Sequence, residues 1–260
     1  MNIIKKNFSK YADHYDDYCS VQNHSAKVLV SKIKKNKSAS SGEKILDIGC
    51  GTGNYTLLLK EKFIDANIKA VDISNKMVEI ASKKTADNKI EFVVADAEIM
   101  ELDEKFDIIT SNASFQWFLN LEKSLAKYKK LLGNGCVIIF SIFGPKTFYE
   151  LNASLKELLG KDINLSSCGF IEKGVLKKIL KKNFNDVLVE EEIFQEKYDS
   201  LMQLLNKIRY TGTRGNGISV NSFWTHERIN AIEEIYKKKF NNLTATYQIF
   251  YCQGKKYKND

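Results

Sequence analysis

The stretch ILDIGCGTGNYT, Ile45–Thr56, decides how the rest of the chain is read. An apolar run typical of a buried strand ends at Asp47-Ile48, and Gly49-Cys50-Gly51-Thr52-Gly53 follows at once, leading directly into helix-forming sequence. Three glycines at alternate positions permit a tight turn and let a ligand lie against bare backbone at a helix N-terminus. Dinucleotide sites use a similar spacing, so the glycines alone do not name the ligand. Asp47, two residues before the first glycine, narrows the choice. Its carboxylate repels a pyrophosphate and attracts a cation.

Outward from this stretch, short β-branched runs alternate with amphipathic segments. KILDIG, IKAVDI, IEFVVA, FDIITS and CVIIFSIF read as strands, separated by helical NYTLLLKEKF, NKMVEIASKK and LEKSLAKYKKLL. This rhythm specifies an α/β fold with a parallel, doubly wound sheet. Beyond Gly144 it loosens into helical FYELNASLKELL and EKGVLKKILKKN, a strand-like VLVEEEIF, helices between Asp199 and Asn242, and a last strand, LTATYQIFYC. The expected organisation is one domain over residues 1–260. It comprises an N-terminal helical lid (1–40), a ligand-binding core (44–143), substrate-side helices with an insertion (144–242) and the final strand (243–252).

Asp72 closes the second strand, where a carboxylate can accept both hydroxyls of a ribose. Asp96 follows the third strand, placed to accept from an adenine amino group, with Ile73 and Ala97 either side of the ring. The glycine loop, Asp72 and Asp96 in this order resemble the Rossmann-like S-adenosylmethionine-dependent methyltransferases over roughly Ile45 to Phe143. The resemblance implies a seven-stranded sheet with an antiparallel last strand. It also implies S-adenosyl-L-methionine across the strand ends, its methionine part on Asp47, Gly49, Cys50, Gly51 and Gly53, and adenosine between Asp72 and Asp96. Gln22 and Asn112 complete the candidate cofactor contacts.

SNASFQWFLN (residues 111–120) follows the fourth strand and offers Asn112, Gln116 and three aromatics, but no Asp, Glu, His, Lys or Cys. Methyl transfer is an in-line displacement that needs alignment and dryness, and a base only when the nucleophile carries a proton. A carboxylic acid, with a pKa of about 4, is already ionised at neutral pH. The segment therefore fits a carboxylate acceptor, and equally one whose base lies elsewhere; His14 and His24 are the candidates for that. It also lacks the paired prolines typical of nucleic-acid amino-methyltransferases.

Upstream, Phe8, Tyr11, Tyr15, Tyr18 and Gln22 recur at helical spacing, which predicts N-terminal lid helices with an aromatic stripe. YDDYCSVQ (15–22), SNASFQWF (111–118), FGPKTFYELNASL (143–155), IRYTG (208–212) and LTATYQIFY (243–251) together resemble the malonyl-acyl-carrier-protein O-methyltransferases of biotin synthesis. That family implies esterification of the free carboxylate of a malonyl thioester on acyl carrier protein, giving the primer for the pimeloyl moiety. By this resemblance Arg209 and Tyr15 orient the carboxylate. Phe8, Gln116 and Trp117 face the substrate, and Lys146 and Arg214 meet the phosphopantetheine or the acidic carrier. The chain has Gly212-Thr213-Arg214 where the family usually continues Gly-Ala-Thr. A small-molecule methyltransferase of the same fold, acting on a free carboxylic acid or quinone precursor, is the alternative.

Composition limits other classes. The net charge is +8, yet only Arg209, Arg214 and Arg228 are arginine, and nucleic-acid readers favour arginine's planar fork. No nucleic-acid partner is expected, nor a membrane span, since no apolar run is long enough. The five cysteines are scattered without a CxxC pair, so no metal site is expected and the thiols read as reduced, in a cytoplasmic protein.

Overall fold

A computed structural model describes residues 3–34, 42–85, 87, 89–160, 163–212 and 225–257. Seven strands form one sheet: β1 (Lys44–Ile48), β2 (Asn67–Asp72), β3 (Ile90–Val94), β4 (Phe106–Asn112), β5 (Leu132–Phe143), β6 (Asn185–Lys197) and β7 (Thr244–Lys255). Their order is β3-β2-β1-β4-β5-β7-β6. β1 to β5 run parallel, while β7 pairs antiparallel with both β5 and β6, as expected of the last strand.

Strand alternation divides the core into two layers, because successive side chains point to opposite faces. Ile45, Ile108, Ile139, Phe143 and Ile249 join one buried cluster, and Leu46, Ile109, Ile138, Ile142 and Phe250 join the other. On the first face lie α3 (Ser20–Lys32), α4 (Asn54–Lys62), α7 (Tyr149–Leu159), α9 (Leu201–Tyr210) and α10 (His226–Phe240). On the second lie α6 (Leu121–Leu131) and α8 (Lys173–Asn183). α5 (Asn75–Lys83) follows β2 and is capped by Ser74, whose hydroxyl accepts from Met77 N at 3.3 Å.

The N-terminal segment is a run of short helices separated by breaks. α1 (Ile3–Tyr11) gives way to a 3-10 turn at Ala12–His14, then α2 (Tyr15–Tyr18), and Cys19 breaks the path before α3. The aromatic stripe splits accordingly. Tyr11 and Tyr18 pack against Tyr210 of α9, with ring centroids 5.5 and 4.6 Å apart, whereas Phe8 and Tyr15 face the carboxyl ends of the strands.

Lys207 ties α9 to the sheet. It is 6% exposed and pairs with Glu196 of β6 and the Ser20 hydroxyl of α3; the Tyr198 hydroxyl also donates to Glu196. Removing one member of a buried pair strands the other charge, whereas replacing both with apolar groups is often near neutral. Glu196→Ala should therefore destabilise the protein by about 3 kcal/mol in urea unfolding, and Glu196→Leu with Lys207→Met should recover most of that loss.

Candidate active site

In an open α/β sheet, ligands bind where the strand order reverses, beyond the carboxyl ends of the strands. Here that point lies between β1 and β4. A cleft opens there, its walls including Gly49, Gly51, Asp72, Ile73, Asp96, Ala97, Asn112 and Ser114, with Ile4, Phe8, Tyr15, Trp117 and Phe118 closing over it. A second cavity, about 810 Å³, opens at the amino ends of β4 and β5 between Lys32, Asp107, Cys136 and Tyr251. It lies away from the reversal point.

The glycine loop is held by backbone groups of β2 and by the Asp72 carboxylate. Gly49 N and Cys50 N both donate to Val71 O, at 2.7 and 3.0 Å, and Gly51 N donates to Asp72 Oδ2 at 3.0 Å. Two glycines are required for different reasons. Gly49 has φ +74°, and a Cβ there would lie 2.1 Å from Ser114 Oγ, so β4's loop packs directly on it. Gly51, at φ +55°, would point a Cβ into open space, which leaves its backbone bare to a ligand. Gly53 caps α4 and packs on Ala81, and the Cys50 thiol is buried, donating towards Gly51 O at 3.8 Å. Both shape the loop and stay off the cleft wall.

Asp72 is fixed by Ser74 N, which donates to Oδ1 at 2.8 Å, as well as by Gly51 N. Burial pushes its pKa up, against the pull of those hydrogen bonds. Asp47 lies fully buried beneath the loop. Its Oδ2 accepts from Thr56 Oγ1 at 2.6 Å and its Oδ1 has no partner. Desolvation, reinforced by the neighbouring Asp72 charge, pushes its pKa up to about 7. Asp47 thus acts on the cleft by its field, from behind the loop. Across the cleft, Asp96 Oδ1 accepts from Glu98 N at 3.0 Å, an Asx-type turn that presents Ala97 and Glu98.

After β4 the chain turns through Ala113 at φ +50°, a left-handed conformation rare for alanine. The turn is secured by Ala113 N, which donates to Ser141 Oγ at 3.0 Å. Asn112 is occupied in holding α3 to the sheet. Its Oδ1 accepts from Ser25 Oγ at 2.8 Å and Ser141 Oγ at 2.7 Å, and its Nδ2 donates to Gln22 O at 3.0 Å. Gln22 is buried with Oε1 unpartnered. Gln116 does not reach the cleft, since its Nε2 donates back to Ala113 O at 2.7 Å.

Tyr15 faces the cleft, and burial raises its pKa well above the ordinary value. The turn carrying it is clasped by Asp16, which accepts from Thr52 Oγ1 at 2.6 Å and Asn54 Nδ2 at 3.0 Å and pairs with Lys84 at 2.7 Å. Arg209 is not brought to the cleft. Lys207 turns inward, and two residues further along a helix is about 200° round, so Arg209 is exposed. Lys146 is likewise exposed, anchored through its backbone N to Gln248 Oε1 at 3.0 Å. Arg214 lies outside the described residues. Neither histidine enters: His14 packs on Tyr210, and His24 Nε2 meets Glu192 Oε1 at 2.8 Å. Among the described residues the cleft walls hold no Lys, Arg, His or Cys, and no group of His, Cys, Asp and Glu is arranged to hold a metal.

A methyltransferase-domain family model matches residues 46–140. Among solved structures, the YcgJ protein of Bacillus subtilis is 16% identical with a TM-score of 0.63, over 90% of this chain and 99% of that one. A Haemonchus contortus phosphoethanolamine N-methyltransferase 2 bound to S-adenosyl-L-methionine is 18% identical with a TM-score of 0.59, over 96% of this chain and 60% of that one. These likenesses, with the reversal-point cleft, define a Rossmann-like methyltransferase. Over its whole length the chain is 34% identical to malonyl-[acyl-carrier protein] O-methyltransferase 1 of Ilyobacter polytropus, covering 98% of this chain and 94% of that protein. It is 31% identical to the Bacillus anthracis enzyme of the same name, covering 96% and 95%. The chain belongs to the malonyl-[acyl-carrier protein] O-methyltransferase family. Among the described residues no helix is long and apolar enough to cross a membrane.

Two outcomes follow from the loop. Gly51→Val fills the open space over the backbone and should abolish binding of a ligand there, read by calorimetry, while the fold persists by circular dichroism. Asp47 has a raised pKa in the folded state, so its contribution is fully favourable below about pH 4 and is lost as pH rises through about 7. Asp47→Asn should therefore raise the melting temperature of the unliganded protein at pH 8 by at least about 2–4 °C and change it little at pH 4.

Proposed function

We propose that this chain transfers a methyl group from S-adenosyl-L-methionine to the free carboxylate of a malonyl group carried as a thioester on acyl carrier protein. The whole-length match to enzymes of that name carries the reading. The cleft is consistent with it, because among the described residues no wall residue is placed to take a proton from a neutral nucleophile such as a phenol: the titratable ones are Tyr15, Asp72, Asp96 and Glu98. In this reading Asp72 and Asp96 hold the cofactor, and the Glu98 carboxylate accepts from Leu119 N and Asn120 N, each at 2.9 Å.

The residues present fit the cofactor. A bare glycine backbone, an orphaned buried carboxylate oxygen on Asp47 and an acidic wall suit a ligand with cationic charge. When bound, S-adenosyl-L-methionine supplies a methyl carbon attached to a positively charged sulfur. Gly49 and Gly51 would hold its methionine part, Asp72 the ribose hydroxyls and Asp96 the adenine amino group, with Ile73 and Ala97 flanking the ring. The transfer that group would supply leaves its sulfur neutral, so the wall residues would have only to align an acceptor carboxylate oxygen with the methyl carbon. No proton moves. The aromatic closure by Phe8, Tyr15, Trp117 and Phe118 excludes water and holds the two partners in line, which is where the acceleration arises.

The product in this reading is a malonyl methyl ester whose lost charge suits it to prime chain extension towards the pimeloyl moiety of biotin. Exposed Arg209 and Lys146, with the lysine excess, are suited to meet an acidic carrier outside the cleft.

Mass spectrometry of malonyl carrier protein incubated with enzyme and donor should show the gain of one methyl group. Its absence, with methylation of a free acid or a quinone precursor instead, would select the small-molecule alternative. At saturating donor, kcat/KM for the malonyl thioester should stay flat from about pH 6 to 8, because the nucleophile ionises near pH 4. A rising limb in that window would require a base.

A further inference from the structure

We propose that the indole N–H of Trp117 is the group that orients the acceptor's carboxylate. This rests on the reading that the acceptor is a carboxylate. Trp117 forms part of the cleft wall, and its Nε1 is buried with no hydrogen-bond partner. An indole nitrogen can only donate, and a donor withdrawn from water without an acceptor is a standing penalty that an incoming anion removes. The ring is braced from two sides. Phe8 of the lid meets it edge-on at 6.3 Å and 75°, and Phe170, just before α8, at 5.5 Å and 87°. These contacts hold the ring at the cleft.

The other wall groups leave this role open. Asn112 Nδ2 already donates to Gln22 O at 3.0 Å, and Ser114 is packed on the glycine loop. Tyr15 lies within electrostatic reach of Asp72, on the cofactor side. Charged wall residues are Asp72, Asp96 and Glu98, with no cation among the described residues. A neutral donor suits the chemistry better than an ion pair would. It aims one carboxylate oxygen without stabilising the ground-state anion enough to blunt its attack.

The test replaces Trp117 with β-(3-benzothienyl)alanine, which keeps the ring outline and puts sulfur where the N–H was, alongside W117F. The isostere should lose about tenfold or more in kcat/KM on the malonyl thioester, the scale of one hydrogen bond to a charged group, with donor affinity unchanged. The chain has two tryptophans, Trp117 and Trp224, so the indole N–H resonance that W117F removes identifies Trp117. That resonance should move downfield when malonyl thioester is added to the enzyme bound to S-adenosylhomocysteine. Wild-type turnover by the isostere, or a resonance unmoved at saturating acceptor, overturns the proposal alone. Failure of the unaltered enzyme to form any malonyl ester overturns the acceptor reading and this proposal with it.

Discussion

One buried carboxylate, Asp47, and one half-buried carboxylate, Asp72, lie at the base of the glycine loop, and among the described residues neither has a cationic partner. Asp47 is enclosed behind the loop with one oxygen unpaired, and Asp72 carries the loop's own backbone N–H. Removal from water is the main reason each holds its proton more tightly, and the Asp72 charge adds to that for Asp47. With a pKa near 7, Asp47 shares its place with a proton at neutral pH, and a bound cation would favour release of that proton. The loop tethered to Val71, the tight seat of Ser114 on Gly49 and the bare face of Gly51 all keep that negative field directed at one small volume.

The acceptor side follows from the same field. Among the described residues the charged cleft walls are all acidic, so beyond the neutral Trp117 N–H the positive sulfur of the donor is the attraction available to an anion. Bond formation then cancels both charges at once. Low polarity around the reacting atoms, supplied by the aromatic closure, favours that cancellation over the separated ions. The clasp of Asp16 on Thr52, Asn54 and Lys84 links this closure to the glycine loop, so the lid and the cofactor loop are mechanically one unit.

Much of this was readable in the chain itself. Strand alternation and the glycine spacing specify the sheet, and Asp72 and Asp96 stand at the strand ends where those signals put them, with Gly49, Gly51, Ile73 and Ala97 around the same cleft. Placement of side chains on irregular or distant elements was not readable. The 3,4 spacing from Phe8 to Gln22 ran straight through a 3-10 turn and a break at Cys19, because local spacing cannot register a kink imposed by packing on α9 and the glycine loop. Arg209 followed the same pattern: the inward turn of Lys207 towards Glu196 decides its direction, and that pairing joins residues far apart in sequence. Asp16, Ser114 and the left-handed Ala113 carried no local signal, since alanine does not favour that conformation and a lone Asp or Ser has many ordinary uses.

The most direct test of the central claim is proton linkage on donor binding. Calorimetric titration with S-adenosyl-L-methionine near pH 7, repeated in buffers of different ionisation enthalpy, reports protons exchanged with solvent. If the carboxylates of Asp47 and Asp72 await a cation, the protein releases protons as the donor binds, and releases fewer with S-adenosylhomocysteine, which lacks the positive sulfur. Equal exchange with both ligands, or none with either, would contradict the account.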